Sequence, residues 1–139
     1  MAIEKEPEKV EVEKTELQKL LEPMADKCWK DKFKFYLPTA YGTKEDVVRE
    51  TIDRLARVFK GGTVYTQAEG YWCEKEDEKK RCILVDKEPV VVFEAYHGCL
   101  SKEQAQEIVD IILDYGKKAE QTAIAVVENT FFLIPMKED

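Results

Sequence analysis

Residues 90–127 read VVVFEAYHGCLSKEQAQEIVDIILDYGKKAEQTAIAVV. The opening run, Val90 to Tyr96, is mostly β-branched and aromatic, as a central, buried strand requires. His97-Gly98-Cys99 ends it. Ser101 and Gln104 then stand at capping-box spacing, where a hydroxyl and an amide satisfy the free N–H groups of a helix start. Ala105, Ile108, Val109, Ile112 and Ala119 recur at helical period, widened by Ile111 and Tyr115. Thr122 to Val127 is a second strand. The stretch is therefore strand, helix, strand.

Working outward, Glu128-Asn129 predicts a tight turn into a last strand, Thr130 to Ile134, closed by Pro135. Upstream, Lys32 to Pro38 alternates and carries aromatics, so it predicts a first strand. Thr43 precedes an approximate capping box, and Val47, Val48, Ile52, Leu55, Ala56 and Phe59 follow at helical spacing up to a Gly61-Gly62 stop. Thr63 to Ala68 predicts a strand, Gly70 a bulge or bend, and Tyr71 to Cys73 its resumption. Glu74 to Arg81 is a charged loop, Cys82 to Val85 a strand, and Lys87-Glu88-Pro89 a break before Val90. Residues 1–13 are Glu- and Lys-rich and predict a mobile tail. An amphipathic N-terminal helix is expected over 14–30, capped by Thr15 and interrupted by Pro23. Residues 31–139 are then one α+β domain with helices on one face of a mostly antiparallel sheet, and the split β-α-β version of that layout is ferredoxin-like.

Phe59-Lys60-Gly61-Gly62-Thr63, followed by Gly70-Tyr71-Trp72 and by Gln121-Thr122-Ala123-Ile124-Ala125-Val126, resembles a pattern in small uncharacterised bacterial, archaeal and phage proteins. The resemblance spans about residues 33–127. It implies a ferredoxin-like fold and brings no activity or catalytic residue with it.

The chain has 139 residues and a net charge of −7, which speaks against nucleic acid as a general partner because phosphate contacts need clustered Lys and Arg. No segment approaches a membrane span, and the acidic N-terminus is unlike a signal peptide, so a cytoplasmic location is expected. Glu (20) and Lys (18) dominate while Asn occurs once, a composition that resembles a thermophilic surface.

The candidate chemistry is sparse. Ser101 is the lone Ser and is accounted for as a cap, which argues against a Ser–His–Asp triad. His97 and Cys99, next to the helix start at Ser101, are the catalytic candidates, and a loop histidine beside a small cysteine is the plainer reading. Cys73, Cys82, His97 and Cys99 could supply a structural zinc set, but no C-x-x-C knuckle supports it. No metal or cofactor is expected otherwise. Cys73 and Cys82 flank the charged loop and could bridge a hairpin. Asp46, Glu50 and Asp53, and the row Glu103, Glu107, Asp110 and Asp114, match solvated helix faces. Tyr65, Tyr71, Trp72 and Tyr96 suit a protein interface. The reading favoured by these features is a non-enzymatic interaction or homo-oligomerisation module, binding itself or another protein. The alternative is a small enzyme or ligand-binding domain around His97, Cys99 and Ser101.

Overall fold

A computed structural model describes residues 13–39 and 45–136. The expected tail at 1–13 falls almost wholly outside these, as does the Thr43 cap. The elements are α1 (Glu16–Leu21) with a 3-10 turn (Glu22–Met24), β1 (Asp31–Pro38), α2 (Glu45–Phe59), β2 (Thr63–Glu76), β3 (Cys82–His97), α3 (Lys102–Lys118), β4 (Ala123–Glu128) and β5 (Thr130–Pro135). The strands form one sheet in the order β2-β3-β1-β4-β5, and every neighbouring pair is antiparallel. This is an α+β layer structure.

Alternation along the strands decides which face is dry. Phe33, Phe35 and Leu37 of β1, Phe93 and Ala95 of β3, and Ile124 and Val126 of β4 point to one side. There they meet Leu55, Val58 and Phe59 of α2 and Ile108, Ile111, Ile112 and Tyr115 of α3. Phe33 stacks on Phe59 with centroids 4.7 Å apart, and Tyr115 meets Phe35 edge-on. The Tyr115 hydroxyl donates to the Pro38 carbonyl, so the polar end of this buried ring is satisfied. Arg54 of α2 pairs with Asp114 of α3 at 2.9 Å. The other face of the sheet carries Lys32, Lys34 and Tyr36 from β1 opposite Tyr96, Glu94 and Val92 from β3.

The capping box at Ser101 forms as its spacing predicts, and Thr15 caps α1 as expected, with Gln18 completing a box that the sequence reading did not include. The helix expected over 14–30 is shorter. It stops at Leu21, because Pro23 removes a backbone donor and turns the chain into a 3-10 segment; residues 25–30 are not helical. Leu17, Leu20, Leu21 and Met24 are exposed.

Two expectations about β2 and β3 change. Pro89 does not break β3, which runs unbroken to His97. The Pro89 carbonyl accepts from the Thr39 N–H, so the missing Pro89 donor faces the same side, where β1 has just ended, and the β2–β3 ladder loses nothing. The irregularities of β2 fall between Tyr65 and Ala68 and again between Cys73 and Glu76, rather than at Gly70. Gly70 lies flat in the ladder, and a Cβ there would come within 2.9 Å of the Val90 side chain. The long hairpin that results has no buried residue between Glu69 and Pro89. It projects past the core.

Candidate functional site

Because the helices cover one face, side chains on the other can serve a ligand. A groove of about 840 Å³ crosses that open face. Its floor holds Tyr36, Pro38 and Val90; one wall is the hairpin with Gly70, Trp72, Asp86 and Glu88; the other wall is Ala123, Ala125, Phe131 and Leu133. The wall positions follow from register: Gly70 faces Glu88 and Trp72 faces Asp86 across β2 and β3, while Ala125 faces Leu133 across β4 and β5. Burial, and then the like charge of Asp86, push the Glu88 carboxyl above its ordinary value. The groove thus offers aromatic and apolar surface with four acidic side chains along it, Glu74, Asp86, Glu88 and Glu120, and a mostly apolar lining with a few polar groups is usual for small-molecule sites of this size.

A second depression of about 610 Å³ adjoins it and shares Tyr36. Lys34, Tyr65, Val92 and Glu94 line it together with Thr66, Gln67 and Ala68, where the register of β2 shifts. Lys34 and Glu94 are directly opposed on β1 and β3, with Nζ and Oε2 3.3 Å apart.

His97 lies at the end of β3, well beyond Glu88 near the strand's middle, and outside the groove. Its ring is buried against Phe59, with centroids 5.6 Å apart. Nε2 meets both Glu128 carboxylate oxygens at 2.8 and 3.0 Å, and Nδ1 meets the Gly98 carbonyl at 2.7 Å. Both ring nitrogens face acceptors, which suits the imidazolium. Burial alone lowers its pKa, but the Gly98 carbonyl, Glu128 and Asp31 together outweigh that and raise it. Cys99 and Cys28 are free and exposed.

The sequence-predicted residues therefore separate. His97 is tied to Glu128 and joins β3 to the end of β4. Ser101 is a cap. The sulfurs of Cys73 and Cys82 stand at disulfide distance with Cα atoms 5.7 Å apart, which takes both out of the zinc set. Among the described residues no group of three His, Cys, Asp or Glu side chains converges to hold a metal. The four aromatics do not form one patch. Trp72 walls the groove, Tyr65 lines the adjoining depression, and Tyr96 lies beside Lys32, whose Nζ is 5.5 Å from its ring centroid. Tyr71, beside Trp72 at the groove, donates to Glu69. Sequence reading passed over Tyr36, Asp86, Glu88, Lys34 and Glu94. The available signal was a charged residue inside an apolar strand, as with Glu94 in its β-branched run.

No protein-family model matches the chain, and no curated protein matches it. Among solved structures it is similar to a phage SAM lyase in its apo state, with a TM-score of 0.55 and 15% identity over 80% of this chain and 93% of that one. It is likewise similar to a phage SAM lyase in complex with S-methyl-5'-thioadenosine, with a TM-score of 0.54 and 16% identity over 80% of this chain and 95% of that one. At these identities the likeness is one of fold. It overturns the reading as a non-enzymatic module, which rested on a poor supply of catalytic side chains: the solved chains that match are those of an enzyme. Among the described residues no helix is long and apolar enough to cross a membrane.

Proposed function

We propose that this protein is a lyase acting on S-adenosylmethionine, built on a ferredoxin-like β-α-β-β-α-β core that β5 extends at one edge. The observation that carries the proposal is the groove on the open sheet face, set in a fold similar to that of phage SAM lyase. The volume of about 840 Å³ suits a nucleoside-sized ligand. Trp72 and Tyr36 offer ring faces to adenine and to a sulfonium, which an aromatic face attracts as it does other cations. Asp86 and Glu88 offer acceptors to ribose hydroxyls and bring negative charge towards the positive sulfur. The Gly70-Tyr71-Trp72 element of the resemblance to small phage and prokaryotic proteins lies on this groove wall.

The chemistry asks little of catalytic side chains, which fits their scarcity. When the bond between sulfur and the aminobutyryl γ-carbon breaks, its electron pair goes to sulfur, which leaves as the neutral thioether S-methyl-5'-thioadenosine. The leaving group needs no proton. The aminobutyryl fragment completes its valence when its own carboxylate oxygen bonds to the γ-carbon and closes a lactone, a route that releases no proton and uses no water. Incubation of the purified protein with S-adenosylmethionine, followed by chromatography and mass spectrometry, tests this. S-methyl-5'-thioadenosine should accumulate faster than in a control without protein, and Trp72→Ala should slow its release. Release at the control rate overturns the proposal.

A further inference from the structure

Lys34 and Glu94 are the least exposed Lys or Arg ion pair among the described residues, with side chains 29% and 15% accessible. The Arg49–Glu45 pair on α2, by contrast, is 78% and 85% exposed. The placement is unusual for a structural pair. It joins the middle strand β1 to its neighbour β3 on the face without helices, and on β3 the Glu94 carboxylate interrupts an otherwise apolar run. Withdrawing two charges from water is costly and is only partly repaid by their mutual attraction, so burial alone gives no reason for them.

Their position supplies one. Tyr36 is common to both depressions, and Lys34 lies two residues before it on β1 on the same face, about 7 Å along the strand. A ligand with its nucleoside between Trp72 and Phe131, extended over Tyr36, would reach Lys34 and Glu94 with whatever it carries beyond the sulfur. In S-adenosylmethionine that is an α-amino acid group, an ammonium and a carboxylate on one carbon. We infer that the Lys34–Glu94 pair is the specificity clamp for this zwitterion, with Lys34 Nζ donating to the carboxylate and Glu94 accepting from the ammonium. Each side chain exchanges its present partner for one of equal charge, so the charges stay compensated when the ligand arrives. Thr66 and Gln67, without ladder partners on β3, line the same depression as the pair.

The inference rests on the proposed function, and the test separates the two. Titration calorimetry compares S-adenosylmethionine with S-methyl-5'-thioadenosine, which lacks the amino acid group. The proteins are the native chain, Lys34→Met, Glu94→Gln and the exchange Lys34→Glu/Glu94→Lys, which keeps an ion pair at the same place and so guards against loss of fold. Each variant should bind S-adenosylmethionine about tenfold to a hundredfold more weakly, the worth of one hydrogen bond to a charged group, while affinity for S-methyl-5'-thioadenosine stays within about twofold, below the step that such a bond makes. Equal weakening for both ligands, or none for either, overturns the clamp and leaves the lyase proposal standing. Failure of the native chain to bind either ligand overturns both.

Discussion

Cys73 and Cys82 close a loop of sequence separation 9 at the base of the charged hairpin tip. Replacing both, as Cys73→Ala/Cys82→Ala, returns that loop's freedom to the unfolded chain. For a loop of this length the restored entropy is about 9 cal/mol/K, or about 2.6 kcal/mol at 298 K. The unfolding entropy of a 139-residue chain is roughly 0.29 kcal/mol/K near its midpoint, so the melting midpoint should fall by about 9 °C. The assay is a thermal melt followed by circular dichroism for the native chain and the double variant. Alkylation without reduction, read by intact mass, fixes the state of the thiols. Two thiols, Cys28 and Cys99, should react in the native chain, and four after reduction. Four reactive thiols without reduction would remove the bridge altogether. A bridge present by mass with a shift under about 3 °C would refute the entropy reasoning. It would mean that this end of the hairpin, where no side chain is buried, frays independently of the domain.

Three further outcomes follow from the packing. The His97 pKa is raised in the folded chain above its ordinary value of 6.5, so the stability it contributes is fully present below that value and is lost as pH rises through the folded pKa. Glu128→Gln should bring the His97 titration, followed by NMR, down towards 6.5, and should narrow the stability gap between acidic and neutral pH; an unmoved titration would deny Glu128 its part. Gly62→Ala would put a methyl carbon 2.5 Å from the Phe93 ring, whose side chain is fully buried, so denaturant titration should record a loss of about 1–3 kcal/mol; a neutral result would show that Phe93 can move aside. Ser101→Ala removes the hydroxyl that accepts from the Gln104 N–H and should cost about 1 kcal/mol by the same measurement, with Ser101→Thr costing less.

Features that depend on a few neighbouring residues were legible in the chain. Ser101 with Gln104, and Thr15 as a cap, set two helix starts, because a cap and the N–H groups it serves lie within one turn. Alternation in Lys32 to Pro38 separated a dry face from a polar one, because the strand period is two. The bridge between Cys73 and Cys82 was readable for the same reason: one hairpin brings them together. His97, by contrast, was read as a candidate base beside Cys99. Its role is set by Glu128, far along the chain, which only the flanking of β1 by β3 and β4 brings to it.

The sequence by itself determined the order of strands and helices, their caps and the α+β class, since periodicity, capping and turn chemistry act over a few residues. Only the tertiary structure decided where a ligand could go. Tyr36, Glu88 and Ala125 share a groove because β1 lies between β3 and β4 and because β2 and β3 continue past Pro89 as one projecting hairpin. Lys34 meets Glu94 through strand register alone. Those pairings join segments distant in sequence, and what selects them is the shared burial of Phe33, Phe35 and Phe93 under two helices, a condition that no local stretch of the chain contains.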